Sequence, residues 1–251
     1  MKDAECWKEN IYFVLVEPRE PGNIGASARA VKNMGFKNLE LLNPPERFAE
    51  GHDFWLACHA EDVLKEAEVY KEFKDAIADK ALVVGATRRI GKKRGLFYPV
   101  EEAAERIRRA AEKNPVALLF GREDRGLTNE EVEECGFLLY IPTSEEAPSL
   151  NLAQAVLIVA YELSRAELKA ELPELVPYKE LQALFGHIRK TLKLLDYIPR
   201  GDKDLEARIM RNLKHLLGRS GLAPWEVRML HGICSQIERK IREAGRRDFR
   251  F

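Results

Sequence analysis

Cysteine is scarce and scattered in this chain. Its four cysteines, Cys6, Cys58, Cys135 and Cys234, form no C-x-x-C pair in 251 residues, which argues against a zinc ribbon or a disulfide framework. His52, Cys58 and His59 stand close in sequence, but ordinary buried or surface side chains are the plainer reading, so no metal is expected. Long apolar runs are missing too: none reaches the roughly 18 residues that would span a bilayer. The opening stretch MKDAECWKEN holds no apolar core of a signal peptide, so a cytoplasmic protein without a membrane partner is expected. The chain has no internal repeat and no low-complexity segment.

Several catalytic fingerprints are absent as well. A dinucleotide-binding G-x-G-x-x-G should follow the first strand, but that strand runs into EPREPGNIG. The stretch GATRRIGKKRG mimics a P-loop, yet five residues separate Gly85 from Gly91 where four are required. Lys93 also stands where Ser or Thr would hold magnesium. Neither a G-x-S-x-G elbow nor H-E-x-x-H occurs. What 85–95 does offer is a basic loop, from Arg88 to Arg94, suited to a phosphate.

Charge is abundant. Lys and Arg number 41, Asp and Glu also 41, and together they are 33% of the chain. So dense a mixed surface suits ion-pair networks of the thermophile kind. The balance is uneven along the chain: residues 175–251 carry 17 basic and 9 acidic side chains, a net +8, leaving −8 for 1–174. A basic tail on an acidic body points to a polyanionic partner.

Apolar, β-branched runs at 11–18, 39–44, 81–87, 116–124 and 137–143 read as strands. Between them, 25–34, 100–113, 129–135 and 150–168 read as helices and 53–74 as a mixed helical region. Thr128 is the N-cap of the 129–135 helix. Alternation of this kind gives an α/β fold with a mainly parallel sheet covered on both faces. Such sheets bind ligands at the carboxyl ends of their strands. Two prolines in ELPELVPYKE mark a linker, and 178–198, 202–217 and 223–244 read as three helices. The expected organisation is a body at 1–170, a linker at 171–177 and a small all-helical domain at 178–251.

Three blocks end a strand in a Gly- or Pro-rich loop and open a helix: EPGNIGASARAVKNMGF, LLFGREDRGLTNEEV and IPTSEEAPSLNLAQAVLIVAYEL. Glycine in such loops lets a ligand approach the backbone, whose N–H and C=O groups can read an adenine edge. One such block is an ordinary turn; the ordered set is far more specific. It resembles the SPOUT superfamily of S-adenosylmethionine-dependent RNA methyltransferases, and within it the TrmJ-like tRNA 2′-O-methyltransferases. Asn23, Gly25, Ala28, Arg29 and Ala30 match the family's N-x-G-x-x-A-R-A motif. Phe120, Gly121, Glu123, Gly126 and Leu127 match F-G-x-E-x-x-G-L, and Ser149, Leu150, Asn151 and Ala153 match S-L-N-x-A. The resemblance covers about residues 10–165, and the helical tail fits the family in kind.

The resemblance implies a SPOUT fold with a C-terminal trefoil knot and a homodimer with the active site at the subunit interface. It implies S-adenosylmethionine bound against Ala86, Thr87, Arg88, Gly121, Ile141, Pro148, Ser149 and Leu150. The implied substrate is tRNA, methylated on the ribose 2′-hydroxyl of nucleotide 32 in the anticodon loop, on cytidine, with acceptance of uridine left open. Asn23, Arg29, Arg88 and Asn151 are the implied substrate contacts. Two positions depart from the family and bear on base preference. Pro148 replaces a small hydroxyl residue, and 144–147 lacks an aromatic.

Arg29 and Ser149 are the implied catalytic residues. A guanidinium has a pKa above about 12 and no acceptor when charged, so Arg29 is a poor general base. It suits a fork on the adjacent phosphate and stabilisation of the developing alkoxide. Ser149 would hold the ribose or the cofactor carboxylate, and Glu123 would anchor its loop through backbone N–H groups. Two alternatives stand. One is a ribosomal RNA 2′-O-methyltransferase of the same superfamily. Those usually carry an N-terminal RNA-binding extension, whereas this chain starts its first strand near Ile11 and extends at the other end. The other is a non-catalytic RNA-binding module on the same scaffold.

Overall fold

A computed structural model describes residues 3–46, 48, 56–89, 95–146, 148–166, 173–198, 203–219 and 221–247, with the backbone alone at 3–5, 203 and 244–247. The strands are β1 (Ile11–Val16), β2 (Asn38–Leu42), β3 (Glu68–Tyr70), β4 (Leu82–Ala86), β5 (Phe97–Pro99), β6 (Val116–Phe120) and β7 (Phe137–Tyr140). All pair in parallel, in the order β3-β2-β1-β6-β4-β7-β5. The register aligns Leu15 and Ala86 with Phe120, and Ala86 also with Leu139. The loops leaving β1, β4, β6 and β7 therefore emerge side by side.

Side chains alternate across the sheet, and both faces are buried. Ile11, Phe13 and Leu15 of β1 join a core with α1 (Pro21–Asn33), α4 (Val100–Ala111) and α6 (Leu152–Arg165). Val14 and Val16 face the other way, under α3 (Phe73–Ala76) and α5 (Asn129–Glu133). That second layer is thin, and Tyr178 completes it: the first residue of α7 (Tyr178–Leu194) packs into the same cluster. The tail has a smaller core of its own, built from α7, α8 (Lys203–Gly218), α9 (Pro224–Arg247) and the segment around Val176 and Leu222.

The structure shifts several expected boundaries. Helix α1 begins at Pro21, so Gly-Asn-Ile-Gly is its first turn and not a free loop. Proline fits there because its missing N–H would be unpaired anyway. Gly35 ends the helix with φ of +78°, a conformation that favours glycine. The region 53–74 is not one helical stretch: a short helix α2 (Glu61–Lys65), edge strand β3 and α3 replace it, while 53–55 lie outside the described residues. Strand β5 was not anticipated. His52 and residues 90–94 and 167–168 also lie outside the described residues.

The expected linker is not free of the body. Asn114 donates to the Pro173 carbonyl at 3.2 Å and accepts from the Leu175 N–H at 2.6 Å. The Tyr178 N–H donates to the Lys80 carbonyl at 2.8 Å, and its hydroxyl to Glu134 at 2.6 Å. Lys80, itself 1% exposed, pairs with buried Glu40 at 2.9 Å and with Asp79 at 2.7 Å. Removing one partner of so buried a pair is costly, and the tail hangs from its backbone.

Candidate functional site

The loops leaving β4, β6 and β7 enclose a cavity of about 140 Å³. All eight residues expected at a cofactor line it: Ala86, Thr87, Arg88, Gly121, Ile141, Pro148, Ser149 and Leu150. Leu127, Leu139, Leu152 and Ala155 supply apolar wall; Arg89 and Glu123 add polar rim. Arg88, Arg89 and Ser149 are exposed, and their side chains make no hydrogen bond or ion pair among the described residues.

Hydrogen bonds tie the three sequence blocks together. The Glu123 carboxylate accepts from the Arg19 N–H at 3.1 Å, the Glu20 N–H at 3.3 Å and the Asn23 amide at 2.9 Å. Asn23 in turn accepts from the Asn151 amide at 2.8 Å. The Asn151 oxygen caps α6, taking the Ala153 N–H at 2.9 Å and the Gln154 N–H at 3.4 Å, and Gln154 returns a capping-box bond. Burial alone would raise the Glu123 pKa, but the bonds from Asn23 and the backbone N–H groups hold it below the usual range. Asn23 and Asn151, expected to touch substrate, thus bond to each other, Asn23 also to Glu123 and Asn151 also to the first turn of α6.

A second network was not foreseen. Arg122, 5% exposed, places Nη1 and Nη2 each 3.0 Å from Glu131, and Nε 2.7 Å from Glu17. Glu131 also accepts the Thr128 N–H at 2.8 Å, while Thr128 caps the Glu131 N–H at 3.2 Å. The hydrogen bond from Arg122 holds the Glu17 pKa low against burial. The T-x-x-E capping box was readable from sequence. The Glu17 contact was not, because it needs β1 beside β6.

Gly121 meets a steric demand of its own loop. A Cβ there would stand 2.2 Å from the Gly126 carbonyl carbon and from the Leu127 nitrogen. The loop closes on itself, through the Gly126 N–H to the Arg122 carbonyl at 2.7 Å and a φ of +68° at Gly126. The glycine makes room for the loop's own backbone.

Arg29 is not in this cavity. It lies on the exposed face of α1 with no hydrogen bond or ion pair among the described residues. Beside it, α6 packs against α1 and exposes Leu157 and Tyr161, four residues apart, at 39% and 45%.

A parallel sheet with a loop-built cleft at the carboxyl ends of its strands is a ligand-binding architecture, and the comparisons with known proteins say of which class. Residues 10–161 match the SpoU rRNA Methylase family, and the chain belongs to it. Within it the chain falls in the TrmJ group: residues 179–246 match the C-terminal domain of the tRNA methyltransferase TrmJ. The tRNA (cytidine/uridine/adenosine-2′-O-)-methyltransferase TrmJ of Pseudomonas aeruginosa is 34% identical over 93% of this chain and 96% of its own. The tRNA (cytidine/uridine-2′-O-)-methyltransferase TrmJ of Sodalis glossinidius is 37% identical over 91% of each. The crystal structure of TrmJ from Z. mobilis superposes with a TM-score of 0.77 at 33% identity, covering 90% of this chain and 98% of that one.

Proposed function

We propose that this protein transfers the methyl group of S-adenosylmethionine to a ribose 2′-hydroxyl of tRNA, at nucleotide 32 of the anticodon loop, on cytidine or uridine. The observation that carries the reading is one cleft built by the loops after β4, β6 and β7, to which the first motif block is tied through Glu123 and Asn151, with cations at its rim and on α1 that are unpaired among the described residues. The residues present fit the cofactor. Leu127, Leu139, Ile141 and Leu150 offer apolar walls to an adenine, and Arg88 with Ser149 offers a cation and a hydroxyl to a carboxylate. The TrmJ-type tail favours tRNA over ribosomal RNA, and with a tRNA substrate a cytoplasmic location follows.

When bound, S-adenosylmethionine supplies an electrophilic methyl on a sulfonium. Arg29 binds the phosphate beside the target ribose and stabilises the alkoxide that forms as the 2′-hydroxyl attacks. It stays charged throughout, so the proton passes to water or to the phosphate itself. Ser149 orients the ribose or the cofactor carboxylate. Glu123 keeps the 19–23 and 123 loops together and takes no part in proton transfer.

Since Arg29 lies outside the cavity of its own chain, we read the enzyme as a homodimer in which α1 and α6 meet a second copy. Leu157 and Tyr161 supply its apolar contact, and Arg29 of one protomer serves the shared site. A trefoil knot accords with β7 lying between β4 and β5, which are consecutive in the chain.

The test is methyl transfer from labelled S-adenosylmethionine onto total tRNA and, separately, onto ribosomal RNA, with nuclease mapping of the product. A 2′-O-methyl group at position 32 of tRNA is expected. Transfer to ribosomal RNA alone would move the substrate, and no transfer with intact cofactor binding would leave an RNA-binding module.

A further inference from the structure

The tail docks on the body at the end of α5 and at Gly95. Helix α8 is pinned to the end of α5 by two ion pairs, Arg211 to Glu133 at 3.1 Å and Lys214 to Glu134 at 2.6 Å. Both of these tail cations are therefore turned toward the body. The next residue, His215, lays its ring over Gly95: a Cβ on Gly95 would stand 3.2 Å from Cε1 and 3.4 Å from both ring nitrogens. Gly95 holds φ of +102°, so glycine leaves both the conformation and the space that the ring fills. Nε2 of His215 is buried without a hydrogen-bond partner among the described residues. An orphaned nitrogen is expensive to keep, and here the ring's apolar contact accompanies it.

Gly95 belongs to the chain that connects β4 to β5. Both ends of that connection are fastened to neighbouring residues of β7. The Thr87 N–H donates to the Leu139 carbonyl at 2.9 Å, and the Leu96 carbonyl accepts from the Leu138 N–H at 2.8 Å. Thr87, Arg88, Arg89 and Leu139 line the cavity. Helix α5, the other anchor of α8, directly follows the cavity loop that ends at Leu127.

We propose that α8 is a positioning element for the cofactor cleft, with His215 holding the β4–β5 connection and Arg211 and Lys214 setting the depth of the contact. The tail is thus coupled to the cleft in addition to any hold it has on RNA, and by reciprocity what the tail binds and what the cleft binds affect one another. The inference rests on the cofactor reading above.

The experiment is titration of S-adenosylhomocysteine into the full-length protein, paired with amide hydrogen exchange. His215→Ala should weaken the affinity roughly five- to tenfold, the low end of coupling between sites, and speed exchange at Thr87, Arg88 and Arg89. His215→Phe keeps a ring over Gly95 and should stay within about twofold of the parent, since the ring's packing is what acts. Arg211→Glu should weaken binding, and adding Glu133→Arg should restore it. Unchanged affinity and unchanged exchange in His215→Ala would overturn the proposal. If the parent protein itself binds no S-adenosylhomocysteine, the cofactor reading fails. The coupling is then judged by exchange alone: faster exchange at 87–89 in His215→Ala supports it, and identical exchange overturns it.

Discussion

Two arginines in the motif blocks meet opposite treatment. Arg122 is buried and satisfied, with Glu17 and Glu131 occupying its guanidinium. Arg29 is exposed and unengaged among the described residues. The first builds: it fixes the 121–127 loop against β1 and α5, and its pKa is raised by the Glu17 hydrogen bond. The second is free to act on something outside the chain. The tail repeats the contrast. Arg211 and Lys214 are spent on the body, whereas Arg208 is exposed with no partner among the described residues. A net charge of +8 therefore overstates the cation density that faces RNA. Arg239, Lys240 and Arg242 are shared with Glu243 and Glu238, and the side chains of Arg246 and Arg247 lie outside the described residues.

The strongest way to break the building side is Gly121→Val. Its Cβ collides with backbone that cannot move without opening the loop. Destabilisation of about 3 kcal/mol or more is expected, with loss of S-adenosylhomocysteine binding in whatever folds. Calorimetry and titration would check both. Unchanged affinity would remove the 121–127 loop from the cofactor site.

Cutting the relay should do less. Asn151→Ala removes the α6 cap and the link to Asn23, at about 1–2 kcal/mol, a fall in thermal midpoint of roughly 2–8 °C at this size. If Asn151 served only the substrate, the midpoint would hold and only catalysis would suffer.

Acid should loosen both regions, with signs that can be worked out. Glu123 has a lowered folded pKa, so its stabilisation is present above the unfolded carboxylate value and is lost as pH falls through the folded one. His215 is held neutral by burial, with Glu133 opposing that shift and Arg211 and Lys214 adding to it. Below about pH 6.5 the unfolded chain takes up the imidazole proton first, so stability declines there too. Thermal midpoints from pH 8 to pH 2 should show the upper step shrink in His215→Phe and the lower step remain.

The smallest effect sharpens the tail comparison. Arg208→Ala should reduce the slope of log affinity for tRNA against log salt by about 1. Lys214→Ala, already paired to Glu134, should leave that slope alone. Equal changes in both would mean that the body-facing pair opens on RNA.

Much of this was legible in the sequence. The five strands that read as apolar runs are the buried ones, because a strand covered on both faces has no polar alternation to hide it. Strands β3 and β5 have three residues each, too few to show a period, and Val69 of β3 is half exposed. The start of α1 was hidden because its first turn carries turn-forming residues. The cofactor-side residues were readable as blocks and do share one cavity. The roles of Asn23, Asn151, Arg122 and Gly121 were not, since each depends on a partner brought near by strand order or loop closure. The docking of α8 was unreadable for the same reason: a Lys or Arg in a basic tail looks alike whether it faces RNA or a glutamate on the body.

Arg29→Ala tests the central division most directly. Methyl transfer onto tRNA and S-adenosylhomocysteine affinity should be measured on the same folded preparation. Transfer should fall by a factor of about 10² to 10³ or more, while affinity for S-adenosylhomocysteine stays within a few fold of the parent. Parallel loss of ligand binding, or transfer at the parental rate, would contradict the account.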